Sequence, residues 1–153
     1  MSEAVVIIGS GLAGYNVARE LRKADANVPI VVVSRDHAGF YSKPMLSNAL
    51  AGKKTAATLV MKPAEKMSED IKGRVIANSA VTGIDTQART VTLASGEVLA
   101  YRDLVLALGA DPIRLPLKGD AADTVLSVND LDDFARFADA LDTAAGGQPV
   151  KRV

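Results

Sequence analysis

The residues best placed to do chemistry are three glycines. Gly9, Gly11 and Gly14 stand at the spacing G-x-G-x-x-G, between the apolar run Ala4 to Ile8 and a stretch of helical periodicity that reaches Ala24. A pyrophosphate needs hydrogen-bond donors. The first amides of a helix are donors without a partner inside the helix, and they lie at its positive dipole end. In this pattern Gly9 takes the tight turn out of the strand. Gly11 lets a pyrophosphate approach the main chain, and Gly14 lets the helix pack close to the strand. Strand, glycine turn and helix in that order predict a dinucleotide-binding βαβ unit. The competing reading is a purely structural glycine turn.

The next groups with chemical potential follow a second apolar run, Pro29 to Val33, expected to be a strand parallel to the first. The end of such a strand normally carries an acid for the adenosine ribose, about 20 residues past the glycines. Here the order is Ser34, Arg35, Asp36, with Arg35 where the acid is expected. Two readings stay open. Ser34 and Arg35 touch an adenosine ribose, or Arg35 holds a 2′-phosphate and makes this an NADP site. Asp36 can reach back but stands one place late. His37, the one histidine, reads as a surface loop residue. Lys43 precedes Pro44, which opens a short helix expected through about Leu50 and ending near Gly52. Its ammonium either pairs with a pyrophosphate or is simply solvated.

These residues need elements to hold them. The first helix is expected over Leu12 to Ala24, with Gly14, Val17, Ala18 and Leu21 on the face turned to the sheet. Arg22 and Lys23 sit near its C-terminal end, where positive charge is favoured. Thr58 to Met61 is apolar with no assigned state. Lys62 to Ile71 reads as a helix with Pro63 near its start, and Arg74 to Ala77 as a strand. The period then changes to two over Val81–Asp85, Thr90–Leu93 and Val98–Tyr101. That predicts a small antiparallel meander crossing over the parallel sheet. Leu104 to Leu108 reads as a third buried strand. Gly109 at its carboxyl end suits a flat cofactor, or is a bare turn residue. Thr124 to Val128 is a short strand or an extended lead-in. Asn129 is expected to cap a helix ending near Thr143, with Leu131, Phe134, Ala138 and Leu141 on one face.

Composition narrows the function classes. The 153 residues suffice for one domain with a real core, 48% are apolar, and 18 Lys and Arg balance 18 Asp and Glu. No basic block points to nucleic acid, and no apolar run has the length of a membrane span. The absence of cysteine excludes a disulfide framework, a thiolate metal site and a redox-active dithiol. It fits a reducing compartment, so a cytoplasmic location is expected. Glu3 leads straight into the first strand, and no signal peptide is expected. No residue reads as a general acid, a nucleophile or a metal ligand, so no catalytic side chain is assigned.

A narrower signal lies in Ile7-Ile8-Gly9-Ser10-Gly11-Leu12-Ala13-Gly14-Tyr15, Ala18-Arg19-Glu20 and Tyr41-Ser42-Lys43-Pro44-Met45-Leu46-Ser47. Tyr101 to Ala110 and Asn129-Asp130-Leu131 continue it. Together these stretches resemble the rubredoxin–NAD reductases, flavoproteins of the pyridine-nucleotide oxidoreductase superfamily. The resemblance covers essentially the whole chain but only the first part of the family's polypeptide. It implies an α/β fold: a Rossmann-like FAD-binding domain with a parallel sheet and a small antiparallel meander, incomplete here. It implies that Ser10, Gly11, Leu12 and Ala13 line the FAD pyrophosphate. Ser34 and Arg35 sit at the adenosine ribose, Lys43 (with Pro44 after it) contacts FAD, and Val81 places its backbone against the adenine. Ala107, Leu108 and Gly109 pass near the cofactor. Related ferredoxin reductases carry a lysine where this chain has Asn48, so a lysine–carboxylate pair tuning the flavin is not expected.

The resemblance also implies what the longer protein does. NAD(P)H gives electrons to FAD, and FAD gives them to rubredoxin or a similar small carrier. Residues 1–146 are expected to be the first segment of the FAD-binding domain. Residues 147–153 are expected to be the truncated start of an NAD-binding domain, with Gln148 to Val153 opening a strand. The fragment alone is expected to hold FAD weakly and to show no NADH-dependent turnover. The alternatives are a ferredoxin or flavorubredoxin reductase, an NADP-dependent dehydrogenase that uses Arg35, and a non-enzymatic nucleotide-binding remnant.

Overall fold

Apolar runs too short for helices become strands, and the runs with helical spacing become helices. The computed structural model describes residues 4–145. In chain order they form β1 (Ala4–Ile8), α1 (Leu12–Ala24), β2 (Ile30–Val33), α2 (Ala56–Leu59), α3 (Ala64–Ile71), β3 (Arg74–Ile76), β4 (Val81–Asp85), β5 (Thr90–Leu93), β6 (Val98–Leu106) and α4 (Leu131–Ala145). They fall into two compact units, residues 4–41 with 60–109 and residues 42–59 with 110–145. The expected strand opening at Gln148–Val153, and with it the segment 147–153, lies outside the described residues.

The first unit is a mixed sheet in the order β3-β2-β1-β6-β5-β4. β1 pairs in parallel with β2 on one side and with β6 on the other, and β2 pairs in parallel with β3. β4, β5 and the start of β6 form the antiparallel meander. Alternate residues of β1 serve opposite faces, as the strand pleat requires. Val5 and Ile7 pack with Tyr15, Ala18, Met67 and Ile71 under α1 and α3. Val6 and Ile8 pack with Val91, Leu93 and Tyr101 of the meander. β1 is therefore buried on both sides, and the meander covers the face opposite the helices.

The sequence expectation of two strands, Val98–Tyr101 and Leu104–Leu108, is corrected to the one long strand β6. Arg102 and Asp103 do not break it, because both are exposed and ion-paired to each other at 2.7 Å. Its first residues, Val98–Ala100, bond to β5, and its later residues, Tyr101–Leu106, bond to β1. Nor is the later part buried throughout. Leu106 is 59% exposed and Leu108 67% exposed. Among the described residues, only β1 pairs with Asp103–Leu106.

Helix α1 begins and ends as the sequence reads, but its buried face is rotated. Gly14, Tyr15 and Ala18 are buried, whereas Val17 is 38% exposed. At about 100° per residue, Ala18 and Tyr15 lie on one side of Gly14 and Val17 lies about 60° to the other side. The Tyr15 hydroxyl donates to Ala38 O, and its ring meets Phe40 edge-on at 5.9 Å. Arg22 ties the lower ends of two helices together. Its guanidinium donates to the carbonyls of Ile71 (2.8 Å), Asp25 (3.0 Å), Val28 (2.6 Å) and Lys72 (3.1 Å). α3 starts two residues later than Lys62, because Phe40 and Lys62 form an isolated bridge before Pro63.

The second unit contains the stretch that follows Tyr41. Lys43–Asn48 is a 3-10 helix with Pro44 in its first turn, shorter than the helix to Leu50 read from the sequence. The undecided apolar stretch becomes α2 in part. A 3-10 turn, Ala122–Thr124, ends where the expected stretch begins, and residues 125–128 form no strand; Val125 is extended, in keeping with the lead-in option. Leu131 and Phe134 of α4 are buried. Asp130, not Asn129, caps α4. The Asp133 amide donates to its carboxylate at 2.8 Å, and Asp133 accepts from the Asn129 amide at 2.9 Å. The first of these bonds satisfies one of the donors that a helix start leaves open, and the second ties the residue before the cap to the first turn. Among the described residues, no helix is long and apolar enough to cross a membrane.

Candidate functional site

The parallel strands deliver their carboxyl ends to one edge of the first unit. Gly9 follows β1, Ser34 follows β2 and Ala107 follows β6. The strand order turns at β1, with β2 on one side and β6 on the other. That is the position at which open α/β sheets bind ligands. Ala107 N–H donates to Ile8 O at 2.8 Å, and Gly9 N–H donates to Val33 O at 2.8 Å, so the three ends are laced together.

Each glycine has its own reason. Gly9 has φ +112°, and a Cβ there would stand 2.1 Å from Ala107 O. Only glycine tolerates both the left-handed turn and that contact. A Cβ on Gly14 would stand 1.9 Å from Gly9 O, so the helix lies directly on the turn. Gly11 is the opposite case: a Cβ there meets nothing within 4 Å. The first hydrogen bond of α1 runs from Tyr15 N–H to Gly11 O at 3.1 Å. The amides of Leu12, Ala13 and Gly14 precede it, and residues 11–13 are exposed. The first turn of α1 carries no acidic residue. Open space, donors at a dipole end and no competing carboxylate in that turn fit an anionic pyrophosphate.

Beside this turn lies a polar knot that the sequence reading leaves out. Ser10 and Ser34 are both buried, 6% exposed each. Their hydroxyls lie 2.8 Å apart, and both reach Asp36 Oδ1, Ser34 at 2.7 Å and Ser10 at 3.2 Å. The Ala38 amide also donates to Asp36 Oδ1, at 2.9 Å. Burial pushes the Asp36 carboxyl upward. The hydrogen bonds from Ser34 and Ala38, the nearby His37 and the bond from Ser10 outweigh that and hold it below the usual carboxylate range. The one-place delay of Asp36 is thus no obstacle, because the chain turns back on itself. An acid two residues before a turn amide is a local signal legible in sequence. The contact to Ser10, 26 residues away, is not.

The other expected site residues divide between the two units. Arg35 is exposed beside this knot. The Ser79 amide donates to Ser34 O at 2.8 Å, which brings the chain leading into Val81 to the end of β2. Ala107, Leu108 and Gly109 follow β6, and Gly109 has φ +69°. Lys43 and Pro44 belong to the second unit. They line a cleft of about 550 Å³ with Leu46, Leu50, Asn129 and Phe134. His37 is partly buried, and its Nδ1 accepts from the Gly39 amide at 2.9 Å.

The family model described as pyridine nucleotide-disulphide oxidoreductase matches residues 3–151. The chain is 45% identical over 138 residues to the rubredoxin-NAD(+) reductase of Alcanivorax borkumensis, covering 90% of this chain and 36% of that protein. It is 35% identical over 134 residues to the nitric oxide reductase FlRd-NAD(+) reductase of Vibrio vulnificus, covering 88% of this chain and 35% of that one. Among solved structures, the NADH:rubredoxin oxidoreductase of Clostridium acetobutylicum superimposes with a TM-score of 0.74 at 27% identity, over 95% of this chain and 37% of that chain. The chain thus spans about a third of the length of the curated relatives it matches. Its glycine turn at the carboxyl ends of a parallel sheet and the match over residues 3–151 lead to one conclusion: the chain belongs to the pyridine nucleotide-disulphide oxidoreductase family.

Proposed function

We propose that this chain forms the adenosine- and pyrophosphate-binding part of an FAD-dependent reductase that moves electrons from NAD(P)H to rubredoxin. One observation carries the reading. Gly11 is open at the start of α1, where three amides precede the first helical bond, at the carboxyl edge of a parallel sheet. In this reading Gly9 and Gly14 shape the turn. The amides of Ser10, Gly11, Leu12 and Ala13 receive the pyrophosphate. Ser34 and Arg35 meet the adenosine ribose, and the Val81 backbone meets the adenine. Ala107, Leu108 and Gly109 run along the cofactor, and Lys43 with Pro44 contacts it. FAD, when bound, supplies the chemistry: it takes a hydride from NAD(P)H and releases electrons singly, while the protein positions it.

The names of the relatives support a choice of acceptor. Identity of 45% to a rubredoxin-NAD(+) reductase favours rubredoxin, and 35% to a FlRd-NAD(+) reductase makes a flavorubredoxin the second reading. Residues 1–146 would be the first segment of the FAD domain and 147–153 the start of the NAD-binding one. A chain without cysteine suits the reducing cytoplasm. The test is NADH-dependent reduction of rubredoxin. A longer protein that carries this chain, loaded with FAD, should reduce rubredoxin steadily, and the 153-residue chain with added FAD should not. Failure of the longer protein with rubredoxin, together with turnover of a flavorubredoxin, would move the assignment to the second reading.

A further inference from the structure

The part of the second unit that begins after Tyr41 and ends before Val60 has a one-sided charge. Residues 42–59 hold Lys43, Lys53 and Lys54 and no Asp or Glu, in a chain whose 18 Lys and Arg balance 18 Asp and Glu. Elsewhere Lys23, Lys62, Lys66, Arg74, Arg102 and Arg136 each face a carboxylate. Lys53 and Lys54 are exposed and, among the described residues, stand in no ion pair. Nor do they hang from a loose loop. The amides of Gly52, Lys53 and Lys54 donate to the carbonyls of Asn48 (3.0 Å), Leu50 (3.0 Å) and Ala49 (2.8 Å). Lys53 takes the left-handed place of this turn, with φ +51°, although glycine suits that place better and Gly52 stands next to it. Leu50, which the turn ties to Lys53, is 47% exposed, and Met45 of the same segment is 42% exposed.

We propose that the closed turn Gly52–Lys54, with Leu50, is a docking surface for an acidic face of the protein that accepts the electrons. This surface rests on the FAD reading above and names where its acceptor sits. One hydride carries two electrons. An acceptor that takes them singly must dock twice for each NAD(P)H, so it has to arrive fast and leave fast. Uncompensated positive charge raises the rate of arrival at a carboxylate-bearing face. A small contact with few apolar groups keeps departure quick. A small anion is a poorer occupant, because it needs convergent donors. The lysines stand on adjacent residues in open solvent, and the buried polar side chains, Ser10 and Ser34, belong to the other unit. Lys43 is assigned to the cofactor, so Lys53 and Lys54 are the charges left for a partner.

The test is steady-state reduction of rubredoxin by NADH, with the FAD-loaded longer protein that carries this chain, at about 20 mM and about 500 mM salt. A small uncharged quinone is the second acceptor, since it needs no docking surface. Lys53→Asn combined with Lys54→Gln removes both charges, and asparagine accepts the left-handed backbone. At low salt this variant should raise KM for rubredoxin about fivefold with kcat unchanged, and at high salt the difference should shrink below about twofold. Lys53→Arg combined with Lys54→Arg should keep the parental KM. Rubredoxin with its surface carboxyls amidated should show the raised KM with the parent and no further rise with the Asn/Gln variant. An unchanged KM in that variant, a rise equal at both salts, or a parallel loss with the quinone would overturn the inference. Vesicles of anionic lipid that bind the parent through these lysines, with rubredoxin kinetics unmoved, would give the turn to a membrane surface and overturn it too. If the parent reduces both acceptors while the expected changes fail, the inference falls alone. If it reduces the quinone only, the acceptor assignment and the docking surface fall together and the flavin reading stands. If it reduces neither, the FAD reading falls and takes the inference with it.

Discussion

Gly14→Ala tests the packing on which the site is built. The added Cβ would stand 1.9 Å from Gly9 O and 3.0 Å from Gly9 C, where ordinary contact begins at 3.4 Å. The helix would have to retreat by about 1.5 Å, and the opposing atoms are backbone, with no rotamer to absorb the change. Overpacking costs about 1–3 kcal/mol, and a backbone clash belongs at the upper end. Alanine in a helix returns at most about 1 kcal/mol relative to glycine. The net loss is therefore about 2 kcal/mol, or about 4–8 °C in melting temperature for a chain of this size. Gly11→Ala is the matched contrast. Its Cβ meets nothing, and the Gly11 backbone, with φ −70° and ψ −173°, suits any residue. Stability should change by no more than about 0.5 kcal/mol, since the weaker cap and the stiffer unfolded chain offset each other. FAD affinity should nevertheless fall about tenfold or more, because the methyl fills the approach to the amides. Thermal unfolding by circular dichroism gives the first quantity and titration calorimetry the second. A Gly14→Ala protein as stable as its parent would refute the packing argument. A Gly11→Ala protein that binds FAD unchanged would refute the assignment of the open space.

Other changes have outcomes of equal definition. Arg22→Ala removes donors from four carbonyls and should lower stability by about 2 kcal/mol; Arg22→Lys should recover less than half, because an ammonium cannot fork. Denaturant titration of both variants checks this. The Asp36 carboxyl is held low in the folded state, so its contribution is full above the unfolded value. It is lost only as pH falls through the folded value, below about 4. Parent and Asp36→Asn melting temperatures should therefore differ by a constant from neutral pH down to that point and converge below it. Asp130→Ala removes the acceptor of the Asp133 amide and should cost about 1 kcal/mol, read in the unfolding of the second unit. Glu97→Gln breaks an exposed pair with Arg74 at 2.8 Å and should change stability by less than about 0.5 kcal/mol, with the remainder vanishing in high salt.

What the sequence makes legible is local. The glycine spacing between an apolar run and a helical run places the turn, because each glycine answers a backbone demand within a few residues. The change of period to two after Val81 announces the meander for the same reason. The rotation of α1 is not local. Val17 fits a helical stripe as well as Tyr15 does, and the choice is made by Ala38 O, 23 residues beyond Tyr15. The fusion of two expected strands into β6 depends on which neighbour each half finds, since Arg102 and Asp103 look like punctuation until both prove exposed. Asp36 reads as one place late because a motif counts positions along a chain, whereas a carboxylate reaches through space to Ser10. Lys43 belongs to the other unit from the glycine turn, and no spacing rule connects the two.

The central claim is that the first amides of α1 receive the pyrophosphate of FAD. Nitrogen–proton correlation spectra of the assigned protein, recorded as FAD is added, test it most directly. The amides of Gly11, Leu12 and Ala13 should shift first and furthest, with Ser10 and Ser34 following. The dissociation constant for this chain should lie above about 1 μM, which corresponds to about −8 kcal/mol. Saturable binding that leaves residues 11–13 unmoved would contradict it, and so would the absence of any shift at saturating FAD.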